Sequence, residues 1–336
     1  MTRYPEILAC LQPLLHEQKF HWLVTGAAGF IGSHLTEALL SLGQKVTGLD
    51  NFCTGYQRNL DSALNESGRG ENFSFVEGSI TEIDSCREAM NKGVDFVLHH
   101  AALASVPASL KDPVEYEKVN SLGFVNILQA AREFKIKRVV YATSSAVYGD
   151  NERMPKVEDK IGKFLSPYAM TKYMNEICAE FFTRVYGLEC TGLRYFNVFG
   201  RRQDPNGAYA AVIPRWISAV TSGGVPVIYG DGSATRDFCA VQNIVLANIL
   251  SAFEANAAGK VFNIGCGVET SLRELLEKIY SVFAPGREIK FKSEAPRAGD
   301  ILHSSASIKS AHEILKFRPV LFLEQGLQEM FQSTLQ

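Results

Sequence analysis

A tyrosine and a lysine one helical turn apart, Tyr168 and Lys172, follow a serine-bearing segment, Thr143-Ser144-Ser145-Ala146-Val147-Tyr148-Gly149. A phenol and an ammonium at that spacing share one helix face. There the cation stabilises the phenolate and turns an acid with a pKa near ~10 into a usable base. The serine segment reads as a strand end, so Ser144 delivers a hydroxyl to the same place. Ser145 and Ala146 follow it and carry no carboxylate. Alone, Tyr-x-x-x-Lys reads as a core tyrosine and a solvated lysine, and it is the context that favours the functional reading.

The surrounding elements supply that context. His21 to Thr25 reads as a short apolar strand and runs into Gly26-Ala27-Ala28-Gly29-Phe30-Ile31-Gly32. A helix is expected from Phe30 to Ser41, stopped near Gly43, then a strand from Lys45 to Leu49 ending in Asp50. Phe73 to Val76, Asp95 to His99 and Arg138 to Thr143 are further strand-like runs separated by helical stretches. This alternation predicts an α/β fold with a doubly wound parallel sheet of Rossmann type. Ser166-Pro167 reads as a helix start, a hydroxyl cap before a first-position proline, with the helix closing near Gly187. From Arg194 onward Gly and Pro punctuate shorter elements, which predicts a smaller C-terminal α/β substrate lobe. The expected division is a helical extension over 1–20, a dinucleotide domain over 21–194 to which 237–262 returns, and a substrate lobe from 195–236 and 263–336.

The glycine turn follows a strand, opens a helix and precedes an acidic residue after the second strand. Glycines permit close backbone approach, and a helix N-terminus suits a pyrophosphate. A tight turn without a ligand is the alternative. Asp50 is the candidate acceptor for adenosine ribose hydroxyls, and no arginine follows it closely, so NAD is favoured over NADP. A loop aspartate capping a turn at Asp50-Asn51 is the plainer account.

The chain has 336 residues, 46% hydrophobic and 21% charged, with formal net charge -2. That balance gives no footing for nonspecific binding to nucleic acid or to an anionic membrane. Seven cysteines without a C-x-x-C pair read as free thiols of a reducing compartment. No apolar run reaches the roughly 18 residues that span a bilayer. Pro5, Glu6, Pro13, His16 and Glu17 interrupt any signal-peptide core, and residues Glu6 to Phe20 fit an amphipathic helix instead. A cytoplasmic protein is expected. Adjacent His99 and His100 point to opposite sides of a strand and form no metal pair, so no metal site is expected. Cys239 and Cys266 read as packing residues. Arg201-Arg202 fits a solvated face or a phosphate contact equally well.

Gly26-x-x-Gly29-x-x-Gly32, Asp50-Asn51, His100-Ala101-Ala102, Asn120, Ser144, Tyr168-x-x-x-Lys172 and Arg194-Tyr195-Phe196-Asn197 together resemble the extended short-chain dehydrogenase/reductases over nearly the whole chain. Within that superfamily, the run from Asn197 to Pro214, Gly230-Asp231-Gly232, Arg236-Asp237-Phe238 and Arg297-Ala298-Gly299-Asp300 look like bacterial UDP-N-acetylglucosamine 4-epimerases of surface-polysaccharide pathways. The resemblance implies Tyr168 as acid/base, Lys172 as the cation that lowers its pKa and holds the nicotinamide ribose, Ser144 as partner of the sugar 4-oxygen, and Asn120 completing the group. It implies NAD held by Gly26, Gly29, Phe30, Ile31, Gly32, Asp50, Asn51, Ser79, Ile80 and Ala101. It places a UDP-sugar against Ser145, Asn197, Gln203, Ala211, Arg236, Arg297, Asp300 and Ser304, in a homodimer.

Related dehydratases place Asp-Glu where Ser145 and Ala146 stand here, and related decarboxylases a glutamate at Ala146. Neither side chain is a carboxylate base. The resemblance therefore implies epimerisation, by oxidation at C4, rotation of the 4-ketosugar and re-reduction. Three departures bear on substrate and cofactor: Ser79 for the usual aspartate, Ala104 for a glycine, and Ala146 for a small hydroxyl residue. Ser304 aligns where a bulky aromatic excludes N-acetyl sugars in UDP-galactose 4-epimerases; a surface serine of no consequence is the alternative. UDP-N-acetylglucosamine, its uronic acid and UDP-glucose all remain open as substrates. So do a nucleotide-sugar reductase that consumes cofactor and a catalytically idle NAD-binding regulator.

Overall fold

The computed structural model describes residues 5–15, 18–206, 210–295 and 301–334. A seven-stranded sheet forms its centre. The strands are β1 (His21–Thr25), β2 (Lys45–Asp50), β3 (Phe73–Glu77), β4 (Phe96–His99), β5 (Arg138–Ser144), β6 (Cys190–Tyr195) and β7 (Lys260–Ile264). Their spatial order is β7-β6-β5-β4-β1-β2-β3, and every neighbouring pair is parallel. Strand order therefore reverses between β1 and β4, which opens a crevice at their carboxyl ends.

Both faces of the sheet are covered, so its strands read as apolar runs. β1 is buried at all five positions, and Trp22 stacks on Phe96 at 4.7 Å. The helix Val241–Phe253 is buried nearly all round and lies in the same core as Leu193, Phe262 and Ile264. The amino-terminal helix Pro5–Leu15 adds Ile7, Leu11 and Leu15 to this core. β4 begins at Phe96, one residue later than the sequence suggested. Asp95 nevertheless lies against both neighbours: its amide donates to the His21 carbonyl at 2.7 Å, its carbonyl accepts from the Lys137 amide at 2.9 Å, and its carboxylate accepts from the His21 amide at 2.9 Å and pairs with Lys137 at 2.8 Å.

A second core joins the helices Val212–Thr221, Leu272–Phe283 and Leu323–Thr334 through Ile213, Trp216, Ile228, Leu275, Ile279 and Leu327. Its strands are short. Thr235–Arg236 lies between Thr270–Ser271 and His303–Ser304, and Val227–Tyr229 pairs with Lys292–Glu294. Among the described residues no helix is long and apolar enough to cross a membrane.

Candidate active site at the carboxyl edge of the sheet

Register brings the chemistry-bearing residues to one edge. Thr25 stands opposite Leu49 and His99, and Ser144 stands opposite Tyr195. The chain then leaves β5 by a short 3-10 turn, in which Ser144 Oγ accepts from the Ala146 amide at 3.1 Å. The helix Pro167–Tyr186 starts where sequence placed it: Ser166 Oγ accepts from the Ala169 amide at 3.2 Å, and proline fills the first position. Tyr168 and Lys172 occupy successive turns of this helix and, with Ser144, line a cleft of about 910 Å³.

Burial works against the expected lowering of the phenol by Lys172. Burial pushes the Tyr168 phenol up, a hydrogen bond from Ser144 pulls it back, and Tyr116 adds to the rise. Burial also pushes the Lys172 ammonium down to about 8. Lys172 Nζ donates to the Ala142 carbonyl at 3.1 Å. The protein by itself thus holds Tyr168 as a phenol and Lys172 as an ammonium that gives up its proton more readily than a solvated lysine.

The glycine turn fits a dinucleotide on steric grounds. Gly26 has φ +70°, and a Cβ there would stand 2.8 Å from the Ala101 nitrogen. A Cβ on Gly32 would fall 2.0 Å from the Gly26 oxygen. No side chain caps the helix at Gly29, so the first amides of Phe30–Ser41 face the cleft for an anion. Asp50, Asn51, Ser79, Ile80 and Ala101 line an adjoining trough of about 270 Å³, which shares Gly26, Gly29, Thr54, His100 and Ala102 with the cleft. The Asp50 carboxylate accepts from the Ala28 and Phe52 amides, both at 2.9 Å, while burial pushes its pKa up. Ser79 Oγ is shared with Thr81, at 2.8 Å from its hydroxyl and 3.2 Å from its amide.

On the sugar side the cleft is lined by Ser145, Asn197, Arg236 and Ser304. Ser304 pairs in register with Arg236 and is 9% exposed, which excludes the reading of a surface serine. Three residues lie elsewhere. Asn120 sits in a π-helical turn, Glu117–Leu122, and spends its amide on the Leu103 backbone (2.8 and 3.0 Å) and Thr171 Oγ1 (3.1 Å). It ties the loop after β4 to the Tyr168 helix and does not line the cleft. Gln203 donates to the Val198 carbonyl at 3.1 Å, and Ala211 is an exposed helix cap; neither lines the cleft. Arg297 and Asp300 lie outside the described residues.

Arg201 and Arg202 are neither a solvated face nor a phosphate contact. Arg201 forks onto Glu66 at 3.1 and 3.0 Å, and Arg202 pairs with the buried Glu37 and donates to Ser62 Oγ at 3.2 Å. Burial would raise Glu66, yet Arg201 draws it down to about 2. The pair locks the segment after β6 onto the helices Phe30–Ser41 and Gln57–Ser67. His99 is buried, with Nδ1 2.9 Å from Thr25 Oγ1, while His100 lines both cavities and places Nε2 2.8 Å from the Tyr195 hydroxyl. Cys239 and Cys266 are buried packing residues. Thr54, Val106, Pro107 and Leu110 also line the cleft, and sequence reasoning gave no signal for them.

Comparison with known proteins agrees with this geometry. The family model described as NAD dependent epimerase/dehydratase family matches residues 22–265. The UDP-glucose 4-epimerase of Mycolicibacterium smegmatis is 37% identical over 306 residues, covering 91% of this chain and 95% of that protein. The structure of UDP-N-acetylglucosamine 4-epimerase from Methanobrevibacter ruminantium M1, in complex with UDP-N-acetylmuramic acid, is 39% identical with a TM-score of 0.88, covering 95% of this chain and 99% of that one. UDP-glucose 4-epimerase of Thermotoga maritima, solved with UDP-glucose, is 33% identical with a TM-score of 0.86, covering 94% of this chain and 100% of that one.

Proposed function

The chain belongs to the NAD dependent epimerase/dehydratase family, and we propose that it is a UDP-sugar 4-epimerase whose preferred pair is UDP-N-acetylglucosamine and UDP-N-acetylgalactosamine. One observation carries the reading. The cleft presents Ser144, Tyr168 and Lys172 beside Ser145 and Ala146, and no carboxylate is among its described lining residues. Eliminating water needs an additional acid and base, and the described lining offers no carboxylate for either role.

The glycine turn, Asp50 and Asn51 would hold NAD, which would supply a reversible two-electron oxidation at the sugar C4 carbon. The protein's part is to move one proton and to hold the sugar in two poses. Tyr168 Oη takes the proton of the 4-hydroxyl and returns it after the ring has turned over. Ser144 Oγ, bonded to that phenol, holds the 4-oxygen in line. Lys172, in its ammonium form, opposes the rise that burial imposes on the phenol, and it would also hold the nicotinamide ribose. Asn197 and Arg236, with Arg297 and Asp300, fix the nucleotide so that only the sugar rotates. A fork of arginine donors suits a diphosphate.

Substrate choice follows from the lining. Lys172 and Arg236 are its only Lys or Arg residues among those described, and both are assigned. That leaves no cation for a uronate carboxylate among the described lining residues, whereas the small Ser304 leaves room for an N-acetyl group; Ala104 in place of a glycine narrows the sugar pocket. The test is incubation with UDP-N-acetylglucosamine, without and with added NAD, and separation of the products. The 4-epimer without net cofactor consumption is expected. A 4-keto-6-deoxy sugar, or stoichiometric NADH formation, overturns the reading.

The protein is proposed to act as a homodimer. Met170, Met174, Ile177, Phe181 and Val185 follow a helical spacing along Pro167–Tyr186 and are 41, 41, 46, 42 and 50% exposed. Such a stripe favours a matching stripe on a second copy. The sequence reading drew no interface signal from these residues.

A further inference from the structure

Beside the reacting phenol the cleft has an apolar wall. Ala104, Val106, Pro107 and Leu110 line it. Val106 is 38% exposed and Leu110 62%. The wall is held firmly against the catalytic helix. Tyr116 meets Tyr168 edge-on, accepts from the Ser105 amide at 3.1 Å and donates to the Ser105 carbonyl at 2.7 Å. Ser105 in turn caps the short helix Val106–Lys111, its Oγ accepting from the Ala108 amide at 3.2 Å. That helix packs on Pro167–Tyr186.

Apolar side chains left in water at the rim of a reaction cleft favour a ligand that brings apolar surface to them. The hydroxyls of UDP-glucose and the carboxylate of a uronate bring none. The alkyl end of an N-acyl group does. We propose that Ala104, Val106, Pro107 and Leu110 form an acyl subsite, which takes the N-acyl group of a UDP-hexosamine and accommodates acyl chains longer than acetyl. The proposal rests on the UDP-sugar 4-epimerase reading. Length tolerance follows from the exposure of Leu110, because a wall open to solvent sets no end stop.

The experiment compares UDP-glucose with UDP-N-acetyl-, UDP-N-propionyl- and UDP-N-butyrylglucosamine on the native protein and on Val106→Ser/Leu110→Ser. Both 4-epimerisation and Kd by titration calorimetry are measured. On the native protein Kd is expected to tighten about twofold or more per added methylene. In the double variant the kcat/KM preference for the N-butyryl substrate over UDP-glucose falls about tenfold, through KM. Equal Kd for all four nucleotides, or native-like selectivity in the variant, overturns the subsite. If none of the four is epimerised, the parent reading fails while the Kd series still decides the subsite. Should the double variant melt early, Leu110→Ser alone, at a largely solvated side chain, gives the same comparison.

Discussion

Glu176 and Arg194 form a two-bonded ion pair, Nε to Oε1 at 2.9 Å and Nη2 to Oε2 at 2.7 Å, with side chains 6% and 4% exposed. Glu176 lies one helical turn beyond Lys172, and Arg194 lies on β6. Thr143, immediately before Ser144, donates to Glu176 Oε1 at 2.8 Å. One carboxylate therefore joins the helix bearing Tyr168 and Lys172 to the strand bearing Ser144. Arg194 also donates to the Tyr148 hydroxyl at 3.0 Å and the Glu158 carbonyl at 2.9 Å, so the pair has few unmet bonds.

Breaking this pair from one side leaves a buried charge without its partner, a loss of about 3–5 kcal/mol. Glu176→Gln is expected to lower the urea midpoint accordingly, and Arg194→Met to do the same. The double variant Glu176→Gln/Arg194→Met should recover part of the loss. A midpoint unchanged in either single variant contradicts the brace.

Lys172 makes a pH dependence in the opposite sense from a paired lysine. Its folded pKa of about 8 lies below the ordinary 10.5, so between those values the unfolded chain binds more protons. Its burial penalty is complete below about pH 8 and is relieved as pH rises from there towards 10.5. Lys172→Met is therefore expected to raise the melting temperature at pH 7, with an advantage that shrinks between pH 8 and 10. It should also abolish turnover. A constant advantage across that range would mean that the gain comes from packing.

Gly32→Ala tests the cradle. Its Cβ would fall 2.0 Å from the Gly26 oxygen, a backbone atom with no freedom to step aside. The turn must open, and NAD affinity is expected to fall at least about tenfold. Titration with NAD followed by intrinsic fluorescence checks this without reference to activity. Native affinity in the variant would move the pyrophosphate elsewhere.

What the sequence revealed was what local geometry encodes. Tyr168 and Lys172 are joined by helical spacing, Gly26, Gly29 and Gly32 by one turn, and Ser144 by its place at a strand end. Nothing periodic marks the partners that hold them. Arg201 reaches Glu66 and Arg202 reaches Glu37 across the fold, and Glu176 meets Arg194 only because β6 lies beside β5. Asn120 was legible as a residue near the site, but its amide faces Leu103 and Thr171, a direction set by tertiary packing. The wall of Val106, Pro107 and Leu110 carries no reactive group and so left no motif.

Ser304 tests substrate size. It lines the cleft opposite Arg236 in the short strand pairing, and its carbonyl accepts from the Asp237 amide at 2.9 Å. Ser304→Tyr keeps that backbone bond while filling the space beside the sugar. It is expected to preserve UDP-glucose turnover within about threefold and to lower UDP-N-acetylglucosamine kcat/KM by at least about a hundredfold. Steady-state kinetics on both substrates checks the split, and equal losses on both would reject Ser304 as the size-selective position.

The apolar stripe on the catalytic helix bears on assembly. Ile177 and Phe181 lie one turn apart on the solvent side, while Lys172 and Glu176 face inward. A carboxylate on that stripe would be buried against a second copy, where desolvation without a partner is costly. Ile177→Asp/Phe181→Asp is therefore expected to shift the protein from dimer to monomer in sedimentation velocity. Because these side chains already meet water in one chain, the monomer's own fold should survive, which circular dichroism checks. Turnover should fall in proportion to dissociation, since the stripe lies on the reverse of the helix that carries Tyr168. A native protein that sediments as a monomer, or a variant that stays dimeric, would take the interface off this helix.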